Sequence, residues 1–599
     1  MPPPPGDEYR ARLAGRQASF AAFSRQDAWF SAARLVTFGA GLMLAIAWWQ
    51  GWAPPFWLVL PAAAFAVLIQ RHDRILRALS AAQRAIYFYE RGLARIEDRW
   101  AGTGEPGGRF RDDRHLYAND LDIFGRGSLF ELLSLARTRA GEETLAKWLT
   151  HPAAPRELSA RRDAVTELTP ALDLREALSL AGSEVAAGVD SVGLVTWAEG
   201  SAVLSGSWRR IAAAVLTAGA IGAAVYWFAT DEYGYLMAVL FAEALFFIPQ
   251  RRGIERALHG ADAPARDLDV LAHVLARLER ERFTTARLNE LRGRLDTDGI
   301  AASLAIARLH RLMELHDWQH NLFFAPLAAA LLWGTHLALA IEAWRRAHGS
   351  HVRTWLSTVG EFEALSSLSA YRFEHPDDVW PEILEGAATF DGSAVGHPLL
   401  PAAKMVRNDI HLGGETRLLV VSGSNMSGKS TLLRTVGINA VLALAGAPVR
   451  ATRLQITPLA VGATLRIQDS LQEGRSRFYA EITRIRELAD TARGPLPLLF
   501  LLDELFHGTN SHDRLVGATG VLGSLLDRGA IGLITTHDLA LTAIADSLAP
   551  RAANVHFEDR FEGGEITFDF RMKPGPVTRS NALALMRSVG LDIGSDGTP

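Results

Sequence analysis

The 599-residue chain is too long for one ordinary core, and Lys+Arg 62 against Asp+Glu 66, a net charge of -4, gives no bulk evidence for a nucleic-acid partner. The absence of cysteine excludes disulfides, thiolate metal sites and thiol catalysis. The opening MPPPPGDEYR lacks the basic-then-apolar order of a signal peptide, so these residues are expected to stay on the mature protein.

Residues 35–49 and 54–70 are charge-free apolar runs separated only by a short QGWA turn, and they predict a membrane hairpin. Trp48, Trp49, Trp52 and Trp57 stand where interfacial aromatics belong. A second pair is predicted at residues 211–229 and 234–249, joined by TDEY, with Glu243 the one charge in the fourth span. Arg34, Arg71, Arg74 and Arg77 flank the first pair on one side, and Arg209, Arg210, Arg251 and Arg252 flank the second. The connecting turns carry no Lys or Arg. The positive-inside rule therefore places both open ends in the cytoplasm and makes this a multi-pass protein of the inner (cytoplasmic) membrane.

Residues 267–346 are rich in Leu, Ala, Arg and Glu at helical spacing and predict long amphipathic helices, with runs such as RLERER forming solvated faces. A fifth apolar run, 321–341, contains Asn321 and His336. An odd number of spans would leave the C-terminal chemistry outside the cell, so this run is expected to be a buried helix of a soluble domain.

After about residue 385 short β-rich runs alternate with helices, the pattern of a mostly parallel sheet. The stretch GSNMSGKST follows the apolar LLVV and precedes a helix, satisfying G-x-x-x-x-G-K-[ST] at Gly423, Gly428, Lys429 and Ser430. Such a loop turns backbone N–H groups toward phosphates, while the lysine reaches the outer phosphates and the serine hydroxyl meets Mg²⁺. Gly423, Asn425, Met426, Ser427, Gly428, Lys429, Ser430 and Thr431 are the expected ATP-binding residues. Farther on, LLFLLDELFHGTN ends an apolar run in Asp503 and Glu504. Asp503 is expected to join Ser430 at Mg²⁺, and Glu504 to orient or deprotonate the attacking water. The run AIGLITTH ends in His537, a candidate sensor of the γ-phosphate.

These pieces, in this order, resemble the ATPase domain of the MutS family of DNA mismatch-repair proteins. GSNMSGKST is similar to the family's G-P-N-M-G-G-K-S-T, and LLDELFHGTNSHD to its L-M-D-E-I-G-R-G-T-S-T-Y-D, keeping Asp503, Glu504, Gly508, Thr509 and Asp513. EGRSRFYAEI resembles S-G-R-S-T-F-M-V-E-M, which implies that Ser476 touches the γ-phosphate held by the other subunit of a homodimer. TTHD, ANVHF, GHPLL and RNDIHL also match, and where the family stacks an aromatic residue on adenine this chain offers Met405. Upstream, residues 121–152 resemble the entry to the family's core domain and EFEALSSLS the helix leading into the ATPase. The mismatch-reading domain has no place in residues 1–115. Phe88 and Glu90 in YFYERG copy its Phe-x-Glu spacing but are read as part of a juxtamembrane helix.

The resulting expectation is an α/β P-loop ATPase domain of ABC type at 385–599, preceded by a mostly α-helical MutS-like core domain at 116–384 and an N-terminal region at 1–115, with two transmembrane helical hairpins. The resemblance implies ATP hydrolysis with Mg²⁺ in a composite dimer site, and DNA as the partner. A transport or membrane-remodelling machine driven by an ABC-like ATPase is the alternative, disfavoured by the lack of an LSGGQ-type signature and by a core split by a hairpin.

Overall fold

The computed structural model describes residues 3–185, 190–204, 206–297, 299–319, 321, 324–424, 427–465, 477–506, 511–562 and 565–577. The chain is mostly helical with a C-terminal α/β region, and it divides into two compact units. One comprises residues 1–134, 145–170 and 367–599, the other 135–144 and 171–366. Compactness thus groups the N-terminal helices with the phosphate loop, a division that sequence texture along the chain does not display.

In the first unit, α1 (Pro5–Trp49) begins with proline in its first turn and with Asp7 and Glu8 beside the N-terminus, both favourable to a helix start. Gly51, at φ 76°, turns the chain, and a short turn at Pro55–Leu58 leads into α2 (Val59–Ile96). The two run back to back: Tyr9 meets Tyr89, the Asp27 carboxylate lies 2.6 Å from His72, and Phe38 faces Phe65. At the open end the pair is anchored by buried side chains, with Arg95 on α2 paired to the fully buried carboxylate of Glu374, which also accepts a bond from the Tyr9 hydroxyl. Toward the turn the surface is the reverse of a soluble one, with Leu35, Val36, Met43, Trp49 and Trp52 all exposed. Phe88 is buried on α2 against Tyr89, so the Phe-x-Glu spacing belongs to a packed helix rather than a projecting wedge.

The second unit holds the other apolar pair, α3 (Ser207–Thr230) and α4 (Gly234–Phe247), in contact at Trp208–Phe246 and Tyr226–Tyr235. Three helices among the described residues are long and apolar enough to cross a membrane: α1, the Pro55–Ile96 stretch and α3. The expected fourth span is shorter than 234–249 suggested, because a 3-10 turn at Ile248–Gln250, containing Pro249, ends α4 after 14 residues. Next come α5 (Arg251–Arg280) and α6 (Ala302–Trp318), which pack on each other and whose buried residues include Leu268, Leu271, Leu275 and Leu309, and then α7 (Trp333–Glu374). The fifth apolar run is split between a short helix, Ala325–Ala330, and the start of α7. There Leu337, Ala338, Leu339 and Ile341 are buried and His336 bonds to Thr217, as expected of a helix inside the protein.

The α/β region is built on a six-stranded sheet of β1 (Leu418–Ser422), β2 (Ala460–Thr464), β3 (Leu498–Leu502), β4 (Ile531–Thr536), β5 (Ala552–Glu562) and β6 (Glu565–Pro574). Its order is β6-β5-β1-β4-β3-β2, parallel except for the β5–β6 hairpin. Every residue of β1, β3 and β4 is buried, as the unbroken apolar runs of a sheet covered on both faces require. The helices α8 (Lys429–Ala445), α9 (Arg477–Thr491) and α10 (Ser511–Asp527) alternate with these strands. A second, four-stranded sheet joins Glu382–Ile383, Arg453–Ile456, Phe390–Val395 and Asn408–Leu412 in that order.

Candidate nucleotide site

The parallel strands β1, β3 and β4 end at the same edge of the sheet, and each delivers part of one cluster. After β1 the chain turns at Gly423 and reaches α8 through Gly428, whose φ of 99° lies in the left-handed region; a Cβ there would also crowd Phe570 at 3.0 Å. Lys429 opens the helix, and its ammonium donates to the Gly423 and Ser424 carbonyls at 2.8 and 2.7 Å. Burial lowers its pKa from the ordinary lysine value, opposed by the charges of Glu504 and Asp503.

Ser430 donates to Asp503 Oδ2 at 2.6 Å, joining the first turn of α8 to the end of β3. The other oxygen of Asp503 accepts from the Thr535 hydroxyl on β4, and the same hydroxyl accepts from the Glu504 backbone N–H at 3.1 Å. Thr535 therefore fixes the Asp503 carboxylate and the backbone of Glu504. Glu504 has φ 49°, a strained conformation for a residue with a side chain, and its Oε1 lies 3.1 Å from His537 Nδ1. Phe506 also has positive φ, at 57°, and donates its N–H to the buried carboxylate of Glu481 on α9. Arg514 of α10 binds the Phe506 carbonyl at 3.1 Å and lies 3.5 Å from Asp538.

Beside the start of α8 is a cavity of about 180 Å³ whose walls include His397, Val406, Thr431, Phe557 and Phe570. His397 has its pKa pushed down to about 4, by burial and then by Arg434, so its ring is neutral near pH 7. Met405, the sequence choice for the aromatic position, packs against Gly396 instead of lining this space. Phe570 lines it, carried by the β5–β6 hairpin and held there by a bond from Asn408 to its carbonyl. That placement is legible only from the hairpin register. Thr535 and Glu481 stand inside the quoted TTH and RFYAEI stretches, but their hydrogen bonds are tertiary.

The structure thus brings together Gly423, Ser427, Gly428, Lys429, Ser430, Asp503, Glu504 and His537, with Thr431 on the cavity wall. Asn425, Met426, Ser476, Gly508 and Thr509 lie outside the described residues. Two hydroxyls of the loop, Ser424 Oγ and Ser427 Oγ, are buried and have no hydrogen-bond partner among the described residues. Orphan donors beside a buried ammonium fit an incoming polyanion.

The family model of MutS domain V matches residues 419–592, from β1 through the β5–β6 hairpin and beyond. Endonuclease MutS2 of Thermus thermophilus is 35% identical over 196 residues, covering 33% of this chain and 25% of that protein. DNA mismatch repair protein MutS 2 of Haloarcula marismortui is 34% identical over 233 residues, 34% of this chain and 24% of that protein. DNA mismatch repair protein MutS of Geobacillus kaustophilus is 30% identical over 266 residues, 43% of this chain and 29% of that protein. The chain spans about a quarter of the length of these relatives. Over residues 419–592 the chain is thus similar to domain V of the MutS family.

Proposed function

We propose that the protein is a membrane-anchored MutS-type ATPase that hydrolyses ATP in a composite homodimer site and acts on DNA. The carrying observation is the meeting of Lys429, the Ser430–Asp503 pair and the Glu504–His537 pair at one sheet edge. Lys429 faces the outer phosphates of ATP, and the loop hydroxyls of Ser424 and Ser427 bond their oxygens. Ser430 and Asp503 would hold Mg²⁺, which supplies charge neutralisation on the phosphate oxygens when bound. Glu504 accepts a proton from the attacking water while His537 fixes the carboxylate. The cavity beside Thr431, with both polar and apolar walls, receives the base, and Phe570 forms one side of it. Ser476 of the second copy completes the side of the γ-phosphate that one copy leaves open.

Exposed apolar surface on α1, α2 and α3 supports anchoring in the cytoplasmic membrane, with the ATPase region inside the cell. The names of the relatives, mismatch-repair proteins and an endonuclease, support DNA as the partner.

The test is the ATPase rate of the detergent-solubilised protein, with and without duplex, mismatched or branched DNA. Glu504→Gln should retain ATP binding and lose at least about a hundredfold in turnover, the loss of a general base. Unchanged turnover in that variant rejects the hydrolytic assignment, and a rate indifferent to every DNA rejects the partner.

A further inference from the structure

The second unit contains a cavity of about 720 Å³ unrelated to the nucleotide site. Its walls are mostly apolar and come from α4, α5, the Ala325–Ala330 helix and the start of α7, with Phe247, Leu258 and Trp333 among them. Glu243 of α4 also lines it. That residue is only 3% exposed, its Oε1 is buried without a partner, and among the described residues no hydrogen bond or ion pair reaches it. Leaving a buried carboxyl without a donor is costly, so its place on an apolar helix calls for a partner that offsets the cost. The other polar groups of the wall include Glu255 and His259, both well exposed, the buried His316 bonded to the half-buried Gln319 at 2.7 Å, and Thr335, whose buried hydroxyl has no partner among the described residues. Among the described residues no Lys or Arg lines the space.

We infer that this cavity is a binding site for a phosphate-free amphiphilic amine, whose ammonium group donates to Glu243 and whose apolar body fills the space between α4 and α7. The carboxyl lacks a donor, and an ammonium supplies up to three. The apolar walls reward a hydrocarbon or aryl body. A phosphate-bearing head would bring negative charge beside Glu243, and the guanidinium that reaches Glu255, from Arg251, is already paired at 2.8 Å.

The experiment is calorimetric titration of the full-length protein in detergent with 4-phenylbutylamine, 4-phenylbutanol and 4-phenylbutyrate, which share one body and differ in the head. The amine should bind at least about tenfold more tightly than the alcohol, as a charge-assisted bond to a buried carboxylate predicts, and the acid weakest. Glu243→Gln keeps the shape and removes the charge, so it should reduce the amine to within about twofold of the alcohol. Its thermal unfolding midpoint, no lower than that of the parent, shows that the variant is folded. Ala329→Phe, at an exposed position of the rim, should weaken amine and alcohol alike. Equal affinity for amine and alcohol, a preference that survives Glu243→Gln, absence of binding by all three, or equally tight binding of a lysophosphatidylethanolamine would each overturn the assignment.

Discussion

Thr535 shows how one hydroxyl can set two acids. It donates to the Asp503 carboxylate and accepts from the backbone N–H of Glu504, so the carboxylate expected at the metal and the backbone of the residue expected at the water are held by the same strand. Thr535→Val keeps the β-branched shape on a buried strand but leaves Asp503 and the Glu504 N–H without that partner. Because Thr535 acts through its neighbours, it is a positioning residue. The variant should hydrolyse ATP about ten- to a hundredfold more slowly with little change in KM for ATP, the pattern of a lost transition-state contact. Thr535→Ser, which restores the hydroxyl, should recover most of the rate. A normal rate in Thr535→Val shows that Asp503 and Glu504 hold themselves. At this scale the sequence displays the chemistry well, because Lys429, Ser430, Asp503 and Glu504 sit at fixed spacings from apolar strands. It does not display Thr535 or Phe570, whose roles depend on strand register and on a hairpin that folds back toward the phosphate loop.

Helix α8 carries the loop, and its position depends on a segment far upstream. Leu121, fully buried, lies where a Cβ on Gly437 would stand 2.6 Å from two of its methyl carbons and 2.8 Å from Leu501. Nearby, Arg434 of α8 donates to the Asp120 carbonyl at 3.1 Å, and the Asp120 carboxylate accepts from the Leu465 N–H at 2.8 Å. Residues 120–121 therefore latch α8 and the end of β2 together. The alternation of strands and helices after residue 385 is plain in the sequence, since buried parallel strands must be apolar throughout. The latch is not, because a lone leucine after a polar stretch carries no periodic signal. The length of α4 was similarly hidden, since Pro249 shortens a run whose composition alone reads as longer. Gly437→Ala should lower stability by about 1–3 kcal/mol through overpacking, and Leu121→Ala by about 2–5 kcal/mol through a cavity. The double variant should cost less than the two together, because the added methyl enters the vacated space. Thermal unfolding midpoints measure this, and strict additivity argues against direct packing.

At the scale of the whole molecule, the proposed membrane placement rests on the exposed apolar ends of α1–α2 and α3–α4 and on the arginines collected at their open ends. The lack of native cysteine allows this topology to be read with single introduced thiols. Gln50→Cys and Glu232→Cys, at the turns, should react with an impermeant maleimide in intact cells, whereas Glu415→Cys, in the ATPase region, should react only after permeabilisation. External labelling of Glu415→Cys defeats the cytoplasmic placement. The proposed dimer rests on the same logic of incomplete surfaces. On one copy, Lys429, Ser430 and the two acids gather around one side of the phosphate site, and α9 begins at Arg477, directly after Ser476. A serine preceding a helix of 15 residues offers a hydroxyl and N–H groups that favour anions, if a second copy brings them to the γ-phosphate. Lys429→Ala and Ser476→Ala should each be slow alone, the first by losing phosphate binding and the second by failing to complete its partner's site. Mixed in equal amounts, they form heterodimers in which one site loses both residues and the other keeps both. Turnover should therefore rise above that of either variant, toward half the parent rate per heterodimer. Subunit exchange is verified with two affinity tags, and the gain should disappear when both substitutions are placed on the same copy and mixed with itself. Absence of any gain despite verified exchange means that each copy completes its own site.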